Sequence, residues 1–180
     1  IISAGTYHFY ESGAVQKTYF ESNTTNGKPK NLSILMKNLK NISIEGNFAT
    51  FMYHGKVQPI TLEDCQNIKI RNLFFDFATP TSAEAEVLDV TPTYFTIKMD
   101  KSQYSYSIKN KKITFNIGDH SNFPYAFIEF NTQYQIVEPN TGDRGWENTT
   151  VEEDSAGYLK IYYSNPNLFP KKGNYIVIRY

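Results

Sequence analysis

The side chains with the most to offer chemistry are a few carboxylates, three histidines, one cysteine and one tryptophan. Hydrolysis of a glycosidic bond needs two carboxyl groups, one to protonate the leaving oxygen and one to activate water or attack carbon. The acidic residues of the first half are Glu11, Glu21, Glu45, Glu63, Asp64 and Asp76. Asp76 is the catalytic candidate: it lies between Phe75 and Phe77 and points opposite to both, and an aromatic-flanked carboxylate suits a general acid. The competing reading places it on a solvent face, where period two also puts it. Glu63-Asp64 reads as turn chemistry. His54-Gly55 ends the run Phe51-Met52-Tyr53, so its imidazole can meet a sugar hydroxyl or a turn carbonyl, with Tyr53 as a neighbouring sugar contact. Trp146, in the polar stretch Asn140 to Glu147, is a sugar platform or a cover for a core.

His8, His54 and His120 share no metal-ligand spacing, and the single Cys65 excludes a cystine or a cysteine-based metal cluster. Cys65 aligns with Leu39 in the repeat described next, which makes it a small buried hydrophobe rather than a nucleophile. No metal and no cofactor is expected. There is no Ser/His/Asp signature and no glycine-rich phosphate loop.

The elements that must position these groups show first as a repeat. At a shift of 26, Ile34 falls on Ile60, Met36 on Leu62, Asn41 on Asn67, Ile42 on Ile68, Ile44 on Ile70, Phe48 on Phe74 and Phe51 on Phe77. Alternation with period two inside each copy is a strand signal. Stacked coils of a parallel β-helix fit this spacing, with like residues one above another at about 4.8 Å. The stack predicts a ladder between Asn41 and Asn67, a charge pair between Glu45 and Arg71, and Phe48, Phe51, Phe74 and Phe77 inside the solenoid. Gly5 to Tyr10 reads as an entry strand.

After Pro80 the spacing disappears and short alternating strands follow. Hairpins are predicted at Val87–Val90 with Tyr94–Met99 and at Ser107–Lys109 with Lys112–Ile117. Further strands are predicted at Tyr125–Phe130, Tyr134–Val137, Tyr158–Tyr163 and Asn174–Tyr180. The expected fold class is all-β, with β-helix coils in residues 1–82 and a small antiparallel β-barrel or sandwich in residues 83–180.

Composition narrows the function classes. Eighteen basic residues balance eighteen acidic ones, so the basic excess of a nucleic-acid binder is missing. No run approaches the roughly 18 apolar residues of a membrane span. The excess of Tyr (14) and Phe (13) suits strands and also suits stacking on sugars. The chain starts at Ile1 without a leader and closes on the strand-like Tyr175 to Tyr180, and both ends are expected to be cut from a longer chain. An open coil end predicts self-association through unpaired strand edges.

A group of motifs in order carries a family resemblance. Gly5-Thr6-Tyr7-His8-Phe9-Tyr10, Ser22-Asn23, Asn41-Ile42-Ser43-Ile44-Glu45-Gly46 and Phe51-Met52-Tyr53-His54-Gly55 are followed by Pro59, Asn67-Ile68, Asn72, Asp76-Phe77 and Pro80. Together these resemble the start of the bacterial α-1,3-galactosidases of glycoside hydrolase family 110. Phe169-Pro170-Lys171-Lys172-Gly173-Asn174-Tyr175-Ile176-Val177-Ile178-Arg179 is similar to that family's return from its first barrel. The resemblance implies a right-handed parallel β-helix carrying barrel domains. It also implies inverting, exo-acting removal of terminal galactose without metal or cofactor, and a bacterial protein that is secreted, periplasmic or on the cell surface. Glu45-Gly46 stands where Asp-Gly is usual in the family, and Phe77 where Trp is common. The family's catalytic acids are expected on later coils, beyond Tyr180, so none is carried onto this sequence. Tyr53, His54 and Asp76 are then expected to flank the groove, and the chain alone to be inactive. The alternative from another class is a non-catalytic carbohydrate-binding or adhesion module.

Overall fold

A computed structural model describes residues 1–19, 27–155 and 157–180, so Glu21 and Ser22-Asn23 lie outside the described residues. The chain forms two compact units, Ile1–Thr79 and Pro80–Tyr180. Both are built of strands, and no helix among the described residues is long and apolar enough to cross a membrane.

The first unit holds β1 (Thr6–Tyr10), β2 (Val15–Thr18), β3 (Pro29–Lys37), β4 (Lys40–His54), β5 (Gln58–Glu63) and β6 (Gln66–Phe77). One sheet has the order β1-β4-β6, parallel throughout; the other has the order β2-β3-β5, with β3 and β5 parallel. Ile34 pairs with Ile60, Ile42 with Ile68 and Ile44 with Ile70, the offset of 26 that the repeat predicts. Between the sheets the chain turns through left-handed residues at matching places: Asn38 and Asp64, then Asn41 and Asn67. Asn and Asp tolerate this conformation because a short polar side chain can bond locally. The ladder is present, with Asn67 Nδ2 donating to Asn41 Oδ1 at 2.8 Å. Glu45 lies 3.8 Å from Arg71 and accepts from Asn72 Nδ2 at 2.7 Å.

The aromatic stack departs from expectation. After Glu45 and Arg71 the register slips by two, so that Ala49 pairs with Leu73, Phe51 with Phe75 and Tyr53 with Phe77. The corner in β4 takes three residues, Gly46 to Phe48, with Asn47 and Phe48 left-handed; the corner in β6 needs only Asn72. Beyond these corners Phe51 is buried and Phe77 packs half-buried against the same core, whereas Phe48 and Phe74 are 67% and 56% exposed. Those two rings do meet, at 6.5 Å, but on the outer face. Gly46 is needed at this corner because a Cβ there would sit 2.5 Å from the Asn72 carbonyl oxygen. Cys65 is half-buried and its thiol donates to the carbonyls of Met36 and Glu63.

The second unit contains β7 (Ser82–Val90), β8 (Phe95–Met99), β9 (Tyr106–Lys109), β10 (Lys112–Ile117), β11 (His120–Asn122), β12 (Ala126–Asn131), β13 (Ile136–Val137), β14 (Arg144–Gly145), β15 (Thr150–Ser155), β16 (Tyr158–Tyr162) and β17 (Tyr175–Arg179). All pairings are antiparallel. The larger sheet runs β13-β12-β17-β7-β8-β16-β15, with β14 on β12, and the smaller runs β11-β10-β9. Both predicted hairpins form, the second through Asn110 and Lys111, which are both left-handed as a two-residue hairpin loop requires. Ala83, Ala85, Val87, Ile97, Ile176 and Ile178 face inward onto Phe95, Phe115 and Phe127.

This core also encloses a polar cluster. Glu129 and Arg144, 1% and 5% exposed, form an ion pair at 2.8 Å. The other Glu129 oxygen accepts from the Lys171 backbone N–H at 2.7 Å and from Asn174 Nδ2 at 2.6 Å. Glu138, also buried, accepts from Lys171 Nζ, Asn131 Nδ2 and Asn174 Nδ2. The Lys171 ammonium and the Asn131 amide hold the Glu138 carboxyl down at about pKa 2, against about 4.3 for an unfolded chain. A depressed carboxylate stabilises the fold fully above the unfolded value, and this is lost as pH falls through the folded one. Denaturant midpoints measured between pH 6 and pH 2 should therefore fall below about pH 4.3. Glu138→Gln should fall less steeply there, and parallel curves for the two proteins would refute the assignment.

Candidate functional site

The outer face of β1-β4-β6, beyond the corner, gathers the polar and aromatic groups of the first unit. β1 pairs with β4 at an offset of 44, setting Tyr7 beside Phe51, His8 beside Met52, Phe9 beside Tyr53 and Tyr10 beside His54. Alternation then divides the side chains. Phe9, Phe51 and Tyr53 join the core, while His8, Tyr10, Met52 and His54 face outward, with Asp76 of β6 beside Met52. His8 Nδ1 and His54 Nε2 are 2.8 Å apart in a hydrogen bond whose donor and acceptor are set by the tautomers. The His54 ring stacks on Tyr10 at 4.5 Å and 14°. Asp76 is exposed, and its Oδ1 accepts from the backbone N–H of Phe77 at 2.8 Å. It stands two strands from His8, about 9–10 Å between backbones. The exposed Phe48 and Phe74 rings lie on the β4 and β6 side of the same sheet.

The turn after His54 explains the His-Gly pair. Gly55 has φ +87°, and a Cβ there would lie 2.5 Å from Glu11 Oε2. That carboxylate accepts from Lys56 N–H at 3.0 Å and from Asn31 Nδ2 at 2.7 Å, tying the turn to β3. Gly55→Ala is expected to destabilise the chain by about 1–3 kcal/mol through left-handed strain and displacement of Glu11. A urea midpoint unchanged from the parent protein would count against this.

What the face can do chemically follows from its carboxylates. Glu45 is held by Asn72 and Arg71, and its carboxyl is pulled below its usual range by Asn72 first. Glu63 is held by Lys17, Lys37 and Tyr19, which bring its carboxyl to about pKa 2. Glu11 holds the turn. Asp64 lies in the left-handed turn before β6 and is separated from Asp76 by the corner at Asn72. Among the described residues of this unit, Asp76 therefore has no partner carboxylate on its face at the roughly 6.5–9.5 Å that inverting hydrolysis uses. The face can stack on a sugar and exchange hydrogen bonds with hydroxyls through His8, His54 and Asp76. No three His, Cys, Asp or Glu side chains among the described residues are placed to hold a metal ion.

Two expected sugar contacts lie elsewhere. Tyr53 is fully buried, between Phe9 at 5.3 Å and Phe77 at 5.5 Å, and burial pushes its phenol up to about pKa 12. Its place in β4 makes it an inward residue, so His54 faces outward without it. Trp146 is 7% exposed and meets Phe127 edge-on at 5.9 Å and 87°, as a cover for the second core and not as an open platform. Conversely, the pairing of His8 with His54 and the stack on Tyr10 are not visible in spacing. The signal available was the similar aromatic alternation of His8-Phe9-Tyr10 and Met52-Tyr53-His54.

Comparison with known proteins gives a consistent set of matches. The family model described as GLAA-B beta-barrel domain I matches residues 83–176. The chain is 33% identical to an alpha-1,3-galactosidase B of Bacteroides thetaiotaomicron, over 100% of this chain and 30% of that protein. It is 33% identical to an alpha-1,3-galactosidase A of Bacteroides fragilis, over 97% of this chain and 29% of that protein. An alpha-1,3-galactosidase B of Akkermansia muciniphila is 28% identical, over 99% of this chain and 22% of that protein. The chain thus spans less than a third of the length of these curated relatives.

Proposed function

This chain belongs to the family that carries GLAA-B beta-barrel domain I, and from that premise we propose that it is the N-terminal scaffold of an inverting, exo-acting α-1,3-galactosidase. Its substrate is a glycan ending in galactose. The observation that carries this reading is a match to proteins of that name over the whole of this chain and both of its units. The paired acids of the reaction come from the part of the relatives' length that this chain does not span. The commitment of Glu11, Glu45 and Glu63 to structural partners supports that division. The outer face bearing His8, His54 and Asp76 then flanks the substrate groove.

The parallel 26-residue register supports a right-handed β-helix continuing past β5 and β6. So does the hollow of about 510 Å³ beside Ile60, Ile70, Leu73 and Phe75. In the isolated chain the same surface and the edge of β6, unpaired among the described residues, drive self-association. A neutral chain acting on a glycan outside the cytoplasm, secreted, periplasmic or cell-surface bound, fits the composition.

The test is hydrolysis of an aryl α-galactoside by the 180-residue chain and by a chain extended with the sequence that follows Tyr180. The extended chain should release β-galactose first, seen by proton NMR, and the shorter chain should be inert. First release of α-galactose, or no release by the extended chain, would overturn the assignment. Turnover by the shorter chain that Asp76→Asn abolishes would place the acid within it.

A further inference from the structure

We propose that the solvent face of the larger sheet in the second unit is a separate glycan-binding site, taking a neutral oligosaccharide across Tyr175, Glu84 and Glu86. Strand alternation sets these side chains there. Ala83, Ala85 and Val87 of β7 and Ile176 and Ile178 of β17 turn into the core, so Glu84, Glu86, Tyr175 and Val177 turn out. Register puts Tyr175 beside Glu86 and Val177 beside Glu84. Two hollows, of about 510 and 290 Å³, adjoin at Glu84 and Tyr175, which line both.

Their lining asks for hydroxyl donors. Glu84 and Glu86 make no hydrogen bond or ion pair among the described residues. Of the nearby charges, Lys101 pairs with Glu153 at 3.0 Å, Asp100 accepts from the Ser102 N–H and hydroxyl, and Lys98, opposite Glu86 in register, lies 5.6 Å over the Tyr158 ring. Two open acceptors thus stand about 7 Å apart along one strand. Beside them is a tyrosine ring, 42% exposed and without a ring or cation partner among the described residues. A pyranose presents what this arrangement lacks, with an apolar C–H face for the ring and adjacent hydroxyls for the carboxylates. An extended peptide is disfavoured, because β17 and β7 are paired on both sides and leave no backbone edge to extend. An acidic glycan is disfavoured, because Glu84, Glu86 and Asp100 outnumber the lysine opposite them, Lys98.

Only the choice of a galactose-ended probe rests on the galactosidase reading. The 180-residue chain would be titrated with a neutral α-1,3-galactosyl trisaccharide, with cellotriose and with an oligolysine peptide, by calorimetry and amide NMR. Saturable binding of a neutral sugar that shifts the amides of Glu84, Glu86 and Tyr175 is expected. Tyr175→Ala should weaken it about tenfold with the fold unchanged by circular dichroism, and Tyr175→Phe should retain it. Roughly 0.5 M NaCl should leave the affinity within about twofold. Cellotriose binding without the galactosyl sugar would keep the site and count against the galactose reading alone. Absence of saturable sugar binding, indifference to Tyr175→Ala, or salt-sensitive binding of oligolysine only would overturn the proposal.

Discussion

Replacing Arg144 with alanine should cost the second unit about 3–5 kcal/mol, because it leaves the Glu129 carboxylate buried without its counter-charge. Glu129 keeps two donors, the Lys171 N–H and the Asn174 amide, but dipoles do not replace a cation in a site closed to water. The guanidinium also lies 5.4 Å over the Phe127 ring, so packing is lost with the charge. The pair as a whole contributes far less than this loss suggests, since both ions were taken out of water to form it. The double change Glu129→Leu with Arg144→Met should therefore recover part of the stability lost in Arg144→Ala, less about 1–3 kcal/mol for the Lys171 N–H left without its acceptor. Urea unfolding of the parent, Glu129→Leu, Arg144→Met and the double variant closes the cycle, with Arg144→Ala measured beside it. A cost below about 1 kcal/mol for Arg144→Ala would mean that water reaches the carboxylate.

Trp146→Ala is the second large effect, about 3–5 kcal/mol from lost burial and the cavity left against Phe127. Phe127 is held edge-on by Trp146 on one side and by Tyr163, at 5.6 Å and 78°, on another, so removing one ring loosens a set of contacts. Trp146→Phe should cost less, because a smaller ring keeps the edge-to-face contact. The comparison that separates a core role from a sugar platform is with the exposed Phe74, whose replacement by alanine should change stability by less than about 1 kcal/mol. Circular dichroism is the suitable readout, because Trp146 is the chain's only tryptophan fluorophore. Unchanged stability in Trp146→Ala together with lost glycan affinity would return Trp146 to the surface.

The parallel register was legible wherever side chains pair with their own kind. Ile42 with Ile68, Ile44 with Ile70 and Asn41 with Asn67 repeat because parallel strands in register place equivalent residues in equivalent surroundings. Hairpins were legible where turn residues interrupt alternation, as at Asn110-Lys111. What escaped depends on backbone conformation at single residues. Nothing in Gly46-Asn47-Phe48 marks two consecutive left-handed residues, one of them a phenylalanine, so Phe48 read as core. The strand Thr150–Ser155 was missed because Glu152-Glu153-Asp154 looks like solvated loop. In the structure Lys111 and Tyr162 meet Glu152, Lys101 and Tyr106 meet Glu153, and Lys160 meets Asp154. The candidate site was half legible: His54 and Asp76 face outward, but an offset of 44 between β1 and β4 follows no repeat, so the partner of His54 was hidden.

The longer corner at Gly46–Phe48 also works as a vernier between neighbouring strands. Its excess over the corner at Asn72 is two residues, an even step, so inward side chains stay inward while their partners along the face change. A one-residue insertion there would turn Phe51 and Tyr53 out into water and bring Met52 into the core. A two-residue change would keep the core and bring a different side chain beside Met52 in place of Asp76. Length variation at one solvent-exposed bend thus gives lineages a way to reassort the groups displayed to a ligand without substituting any of them.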